Sequence, residues 1–249
     1  MPRAPRLKSQ SGIYHIMLRG INQQVIFEDE EDYLKFIETL KDYKAVSGYN
    51  VFAYCLMSNH IHILLQVGKE DLDVIMKRIA GSYVYWYNWK YYRKGHLFQD
   101  RFKSEPIEND DYFLTVLRYI HQNPIKAGIA EKLDEYEYSS YNEYIKDSNT
   151  FIDKGFVYGI IDKDFFEKYN EEKNEDKCLE IDDLIFRLSD ADAMKEIKKV
   201  SGCKTAAEFQ VLEKVQRDKY IKKLKDSGLS IRQISRLTGV SKGVVEKIR

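Results

Sequence analysis

The chain has 249 residues, 43% of them hydrophobic, which is enough for one large domain or two small ones with packed cores. Its forty basic and forty acidic residues give no net charge, and three scattered cysteines exclude a disulfide framework or a cysteine metal cluster. No apolar run reaches the length of a membrane span, and the N-terminus lacks the apolar segment of a signal peptide. We therefore expect a cytoplasmic protein without a membrane partner.

The charges are unevenly distributed along the chain. Residues 1–27 hold four basic residues and no acidic one, and residues 214–249 hold eleven basic and three acidic residues. Between them, residues 164–192 hold eleven acidic and four basic residues. Solubility does not require such a basic excess at the C-terminus, so the pattern favours a nucleic-acid surface there.

Hydrophobic periodicity predicts seven elements in the first half of the chain. Strands are expected at 11–19, 50–57, 60–67 and 102–108, and helices at 29–46, 72–92 and 110–123, the last ended by Pro124. This order predicts an α+β fold of the ferredoxin-like type, with an antiparallel sheet. We expect helices on one face of the sheet and the second face to be available for a site or a partner.

The rest of the chain divides by composition and periodicity. Residues 1–150 are predicted to form the first domain, with the tyrosine-rich segment 136–141 packed on it. Residues 151–180 are interpreted as an acidic connector with some helix. The pattern from 181 to 249 is helical, which predicts an all-α second domain.

Two histidines are separated by one residue in a predicted strand. His60 and His62 project to the same face, with Ile61 and Ile63 on the other. Two adjacent imidazoles suit a divalent metal, although an arbitrary pair of this kind is more often an ordinary half-buried one.

The predicted helix at 110–123 offers groups that would complete such a site. Tyr119 and Asn123 are four residues apart and share one helical face, at the margin of its apolar stripe. A tyrosine hydroxyl can attack a phosphodiester when a metal polarises the phosphate. His60, His62 and an Asn123 oxygen would leave open positions on the ion, which favours Mg²⁺ or Mn²⁺ over a closed zinc site.

Three other histidines are weaker candidates. His121 is a rival third ligand by residue type, but it lies on a different part of the helix, towards the core or solvent. His96 follows a glycine in a loop and could contact phosphate. His15 could lie beside the metal pair if its strand neighbours theirs, although we favour a structural role for it.

Several segments together resemble a known family. His60-Ile-His62 is similar to the His-hydrophobe-His motif of HUH single-strand endonucleases. A larger set resembles the REP-associated tyrosine transposases, in order and spacing across roughly residues 9–145. Its members are Tyr14-His-Ile-Met-Leu-Arg-Gly-Ile-Asn22, Met57-Ser-Asn-His-Ile-His-Ile-Leu-Leu65, Gly95-His-Leu-Phe-Gln-Asp-Arg-Phe102 and Tyr119-Ile-His-Gln-Asn-Pro-Ile-Lys-Ala-Gly128.

The resemblance implies a metal-dependent endonuclease and strand transferase acting on single-stranded DNA near hairpins. Tyr119 would be the nucleophile, retained as a 5′-phosphotyrosine while a 3′-hydroxyl is released. His60, His62 and Asn123 occupy the positions of the family's metal ligands. Asn123 precedes Pro124, which disfavours helical geometry at that residue.

Basic residues near the predicted site would bind DNA phosphates. The segment 83–94 mixes aromatic side chains, suited to stacking on bases, with cations. We expect one aromatic stripe to be buried and the remainder to face DNA. The predicted phosphate-binding residues in the first domain are Arg19, Lys90, Arg93, Lys94, Arg101 and Lys103.

The last twenty residues fit a helix-turn-helix closely. Ser230 and Gln233 suggest a capping box, Gly239 the turn, and Ser241 the cap of the second helix. Val245 would face inward. The cations left near duplex DNA are Lys242, Lys247 and Arg249. A helical bundle used for protein contact is the alternative.

Two other functions compete with a transposase-like enzyme. The first is a DNA-binding regulator with an inactive nuclease domain, although His60, His62 and Tyr119 are retained. The second is another metal hydrolase, which is disfavoured because Leu64 and Leu65 stand where a His-x-His-x-Asp-His pattern needs Asp and His. Monomer and homodimer both remain open.

Overall fold

A computed structural model describes residues 6–146, 150–176, 178–179 and 190–248. Four strands form one antiparallel sheet: β1 (Ile13–Arg19), β2 (Asn50–Met57), β3 (His60–Gln66) and β4 (Lys103–Ile107). Their spatial order is β2-β3-β1-β4. β3 therefore lies between β1 and β2, and β1 lies between β3 and β4, which is the ferredoxin-like arrangement.

Three long helices alternate with the strands: α1 (Glu30–Ser47), α2 (Leu72–Lys90) and α3 (Asp110–Lys126). α1 begins with a capping box between Asp29 and Asp32 and ends at Gly48 in the left-handed conformation. Asn109 caps α3. The predicted α+β class is confirmed. Among the helices in the described ranges, none combines the length and apolar character that a bilayer crossing requires.

Both faces of the sheet are covered, so the expectation that helices would lie on one face only is wrong. All seven residues of β1 are buried, and β2 is buried from Val51 to Met57. α3 packs on β2 and β3 and covers the face that carries the histidines. Its stripe of Phe113, Leu117 and Ile120 supplies the apolar surface that this face needs.

α3 also continues past Pro124, which the sequence analysis took as its end. The helix runs to Lys126, and Ala127 N–H donates to the Asn123 carbonyl at 3.0 Å. A proline removes the hydrogen bond to the carbonyl four residues earlier. Here that loss falls in the last turn, and Gly128 closes the helix in the left-handed conformation.

The segment after α3 packs on the edge of β2, as predicted for residues 136–141. Leu56 N–H donates to the Tyr138 carbonyl, and Ser140 N–H donates to the Tyr54 carbonyl, both at 2.9 Å. Three short helices follow: α4 (Tyr141–Ile145), α5 (Lys154–Tyr158) and α6 (Lys163–Glu171). Val157 and Phe166 join the first core, so much of the segment interpreted as a connector is packed structure.

The C-terminal region has its own hydrophobic core and five helices within residues 190–248. They are α7 (Asp190–Ser201), α8 (Ala206–Gln210), α9 (Lys214–Asp226), α10 (Ile231–Thr238) and α11 (Lys242–Lys247). Gly239 makes the turn between α10 and α11 with a φ of 69°. Val245 is fully buried, as expected for the inward position of the last helix.

The caps of this pair of helices differ in part from expectation. Ser230 accepts a hydrogen bond from Gln233 N–H, but the Gln233 side chain turns to Asp190 instead of completing a capping box. Ser241 occupies the N-cap position of α11 without a side-chain hydrogen bond. The helix-turn-helix shape therefore rests more on burial and on Gly239 than on serine caps.

Candidate active site

The sheet aligns the predicted site residues in rows across neighbouring strands. Met17 on β1 pairs with His62 on one side and with Lys103 on the other, and Arg19 pairs with His60. Directly paired residues share a face of the sheet. His60, His62, Arg19 and Lys103 therefore lie on the face that α3 covers, as does His15 by strand alternation.

The Nδ1 atoms of His60 and His62 each lie within hydrogen-bond distance of a polar atom. His60 Nδ1 lies 2.7 Å from Asn59 Oδ1, so Nδ1 carries the proton and Nε2 holds a lone pair. His62 Nδ1 lies 2.9 Å from His15 Nε2. Within the described part of the chain, the Nε2 atoms of both His60 and His62 are buried and have no hydrogen-bond partner. A neutral imidazole binds a metal through a ring nitrogen whose lone pair is not used in a hydrogen bond.

Burial keeps these imidazoles neutral. It lowers the pKa of His60 to about 4, partly opposed by Asn123. It also lowers the pKa of His62, and the neighbouring His15 and His60 add to this effect. A neutral ring is the ligating species, so both histidines are ready for a cation at neutral pH.

Tyr119 lies against this pair. Its ring centroid is 5.6 Å from that of His62 and 5.9 Å from that of His15, both in edge-on contact. The Lys126 ammonium lies 4.7 Å from the Tyr119 ring centroid, where a cation favours negative charge on the phenol. Tyr119 is only 2% exposed, so neighbouring side chains hold its ring in place and cover it from solvent.

Asn123 is the third group that the sequence places here. Its Nδ2 donates to the Tyr119 carbonyl at 2.9 Å, one helical turn back. The Asn123 side chain also approaches His60 and raises its pKa. Among the described residues, no set of three histidine, cysteine, aspartate or glutamate side chains could hold a metal. An amide oxygen is therefore the protein ligand best placed to join the histidine pair.

The rival histidines have other surroundings. His121 is buried, with Nδ1 2.8 Å from Asn170 Oδ1 and Nε2 2.9 Å from Ser140 Oγ, so both ring nitrogens are engaged. His96 lines a groove with Leu18 and Met76. Leu18 points away from the histidine face by strand alternation. His96 is therefore on the other side of the sheet from Tyr119.

The predicted phosphate-binding cations fall into different environments. Lys94, Arg101, Lys103, Lys242 and Lys247 are exposed, and Arg19 is buried. Lys90 is bound by three carboxylates, those of Asp29, Glu31 and Asp32, at 2.7–2.9 Å. Arg93 donates to Gln24 Oε1 at 3.2 Å. Arg249 lies outside the described residues.

Acidic residues after α6 pack along α3. Arg118 donates to Asp176 Oδ2 at 2.8 Å, and Gln122 donates to the Asn170 and Glu172 carbonyls at 2.6 and 2.9 Å. Lys126 reaches the Asp176 carbonyl at 3.3 Å. The acidic segment therefore packs against α3, the helix that carries Tyr119. Lys126 contacts both the Asp176 carbonyl and the Tyr119 ring.

The helical C-terminal unit contacts the first domain through one buried carboxylate. Arg236 on α10 donates to Glu28 Oε2 at 2.6 Å and to both Asp190 oxygens at 2.6 Å. Beside this contact is a cleft of about 520 Å³ whose lining includes Arg93, Arg232 and Lys242. The cleft is also lined by the acidic Glu28 and Glu246, and it brings the N-terminal end of α11 close to Arg93 of the first domain.

Two supporting residues were not found in the sequence. Asn59 orients His60, and Glu105 lies 3.8 Å from His15 Nδ1. Glu105 sits opposite His15 in the β1–β4 pairing, a register that the sequence does not specify. For Asn59, its place immediately before His60 in the turn was the available signal.

The sequence model described as "Transposase IS200 like" matches residues 8–123, which include His15, His60, His62, Tyr119 and Asn123 but not Lys126. A Haemophilus influenzae (strain Rd) protein classed as a REP-associated tyrosine transposase is 29% identical over 110 residues. That match covers 39% of this chain and 62% of the relative. The chain thus spans about three fifths of the length of this curated relative.

One solved structure shows the same fold. A REP-associated tyrosine transposase bound to a REP hairpin superposes with a TM-score of 0.57 at 14% identity, over 74% of this chain and 99% of that one. A Deinococcus radiodurans R1 protein described as a transposase gives a TM-score of 0.34 at 18% identity, over 49% and 97% of the two chains. Residues 8–123, which contain the four-stranded sheet and the histidine pair, are thus similar to the IS200-like transposases, and the chain resembles the REP-associated tyrosine group.

Proposed function

We propose that the protein is a metal-dependent single-stranded DNA endonuclease and strand transferase, acting at hairpin-associated sites with Tyr119 as nucleophile. The observation that carries this proposal is the packing of Tyr119 against His62 and His15, beside two unpaired Nε2 atoms. The similarity of residues 8–123 to the IS200-like transposases supports it. So does the named relative that is bound to a REP hairpin.

The donor set fits a hard divalent cation, Mg²⁺ or Mn²⁺. His60 Nε2 and His62 Nε2 are buried lone pairs, and the Asn123 amide adds an oxygen beside His60. When bound, such a cation would neutralise charge on a scissile phosphate. Three protein ligands leave coordination positions for phosphate oxygens and water.

The chemistry of the chain itself then follows. The Tyr119 hydroxyl loses its proton as its oxygen bonds to phosphorus, and the bond from phosphorus to the 3′ oxygen breaks. The 3′ oxygen takes a proton and leaves as a hydroxyl, while the 5′-phosphate stays on Tyr119. The Lys126 ammonium over the ring favours the developing phenolate. Attack by a second 3′-hydroxyl reverses these steps and joins strands.

Phosphates of the strand would meet the exposed Lys103, which shares the histidine face, together with Arg101 and Lys94. Lys90 is a poor candidate because its three carboxylate partners already neutralise it. Duplex DNA would bind the helix-turn-helix at the start of α11, where Lys242 and Lys247 are exposed.

The test is a covalent adduct. Wild-type protein is incubated with Mn²⁺ and labelled single strands that carry hairpins, and the products are separated on a denaturing gel. We expect a protein–DNA adduct that disappears in Tyr119→Phe and persists in Tyr43→Phe, a matched control on α1. Equal products from wild type and Tyr119→Phe would refute the nucleophile.

A DNA-binding regulator with an inactive nuclease domain is the alternative. It would be supported if the wild-type protein bound hairpin DNA but left every hairpin strand intact with either metal. Retention of His60, His62 and Tyr119 in contact with one another favours the enzyme.

A further inference from the structure

We propose that the outward face of α2, carrying Tyr85, Trp89 and the following Tyr92, is a stacking platform for single-stranded nucleic acid. This platform lies away from the histidine face and is separate from the residues assigned to strand cleavage. The proposal deepens the proposed function by naming the surface that holds the unpaired strand. Its binding test does not depend on catalysis.

The aromatic residues of α2 divide into two sets. Tyr83 and Tyr87 are fully buried, and their hydroxyls donate to the Ile26 and Val25 carbonyls. Tyr85, Trp89 and Tyr92 are 79%, 71% and 98% exposed. The buried set accounts for the packing of α2 on α1 and on the segment before it, so packing gives no reason for the exposed set.

The exposed rings share one side of the helix. Tyr85 and Trp89 are four residues apart, which places them about 6 Å apart along the axis on one face. Tyr92 follows directly after the helix, in the left-handed conformation with a φ of 50°. Its N–H donates to the Trp89 carbonyl, which keeps it beside Trp89. Three rings in a row on an open face suit stacking with successive bases.

The charge of this segment fits a polyanion. Residues 74–99 contain five lysines and arginines and neither aspartate nor glutamate. Arg78 and Lys90 are paired with carboxylates from neighbouring segments. Lys77 and Lys94 are exposed at the two ends of the aromatic row. A row of rings between cations is the pattern of sequence-tolerant single-strand binding.

The platform is continuous with open surface at both ends. Gly81, one turn before Tyr85, lines a groove of about 880 Å³ and a hollow of about 570 Å³. A Cβ at Gly81 would meet nothing within 4 Å, so packing does not require this glycine, although glycine weakens a helix interior. At the other end, Arg93 lines the cleft that contains Lys242. A strand on the platform would therefore run towards α11.

A second copy of this chain is the competing occupant of an exposed aromatic row. The exposed Lys77 and Lys94 at its two ends argue against it, because two copies would bring these like charges together. Single-stranded nucleic acid has both the flat faces and the negative charge that the surface matches.

The test measures affinity without cleavage. Full-length Tyr119→Phe protein is titrated with an oligothymidylate of about 16 nucleotides and no metal. Trp86→Phe is added in a second series so that Trp89 is the only tryptophan reporter. We expect quenching of Trp89 fluorescence on binding. Parallel titrations with oligouridylate and with a duplex of equal length show whether the platform binds DNA and RNA, and single and double strands, with different affinities.

Substitutions then show which aromatic side chains contribute to the affinity for oligothymidylate. Trp89→Ala and Tyr85→Ala should each weaken oligothymidylate binding by about 5-fold to 150-fold, the range for loss of one base–aromatic stack. Trp89→Phe should retain most of the affinity. The control is Phe165→Ala, which removes an exposed ring beside Lys168 on α6 and should leave affinity unchanged.

Three results would overturn the platform. One is unchanged affinity in both Trp89→Ala and Tyr85→Ala, at melting temperatures equal to that of the parent. Another is an equal loss in Phe165→Ala. The third is a wild-type dimer in light scattering that Trp89→Ala dissociates without any change in oligothymidylate affinity. Absence of cleavage in wild type with intact binding would count against the proposed enzyme alone.

Discussion

His15 Nε2 lies 2.9 Å from His62 Nδ1, and this contact sets which nitrogen of His62 faces the site. Glu105 lies 3.8 Å from His15 Nδ1 and opposes the lowering of the His15 pKa by burial. A carboxylate at Nδ1 favours a proton there, so His15 Nε2 accepts a hydrogen bond from His62 Nδ1–H. His62 Nε2 is then left as a lone pair. Outer partners of this type orient the ligands of metal sites.

The first prediction concerns His15 as a positioning residue. His15→Phe keeps a ring but removes the acceptor, so we expect Mn²⁺ affinity to fall about 10-fold to 100-fold by calorimetry. His15→Gln keeps an acceptor and should lose much less. If the two variants bind Mn²⁺ equally well at similar melting temperatures, the relay from Glu105 to His62 has no role.

The second prediction concerns stability in acid. Burial lowers the pKa of His121 to about 4, whereas an unfolded histidine titrates near 6.5. Between these values the unfolded state binds the extra proton, so the free energy of unfolding falls as pH falls, by up to about 1.4 kcal/mol per pH unit. Urea denaturation of His121→Gln should show a smaller slope between pH 6 and 4.5. An unchanged slope would contradict this origin.

The third prediction concerns the contact between Arg236 and Glu28. Removing the guanidinium leaves a buried carboxylate uncompensated, which costs about 3–5 kcal/mol for fully buried pairs. Because Arg236 is partly exposed, we expect a loss of about 1–2 kcal/mol in Arg236→Ala by urea denaturation. Adding Glu28→Gln should recover most of it. If the double variant is no more stable than Arg236→Ala, the loss of stability does not come from leaving the Glu28 carboxylate unpaired.

The fourth prediction concerns duplex DNA. Lys247→Ala should lower affinity for duplex DNA at all sequences and reduce the slope of log affinity against log salt by about 1. Lys199→Ala is the matched control, because Lys199 is an exposed lysine on α7 of the same unit. Equal slopes for wild type and Lys247→Ala would remove Lys247 from the interface.

Local patterns in the sequence were sufficient for the elements and for selecting residues that lie together in the structure. Strand alternation placed His60 and His62 on one face, and the four-residue spacing placed Tyr119 with Asn123. The structure brings Tyr119 to His62 because α3 packs on β2 and β3. That packing depends on contacts between distant segments, which periodicity does not encode.

The differences have the same physical origin. Lys90 looked like a phosphate ligand in a basic segment, but Asp32, nearly sixty residues earlier, neutralises it in the fold. Pro124 predicted a helix end, and packing of the surrounding residues carried α3 one turn further. The relation of His15 to Glu105 required the register of β1 with β4, which turns and hydrophobicity leave undetermined.

The ion pair between Arg236 and Glu28 connects the C-terminal helical unit to the first domain. It holds α10, and with it α11, in one orientation to the domain that carries Tyr119. Under the proposed function, a DNA molecule bound to both units would place its scissile bond at a set number of nucleotides from the bound duplex. Inserting one to three nucleotides between them should reduce cutting by wild type more than cutting by Arg236→Ala. If this result is found, distance along the strand contributes to target choice under the proposed function.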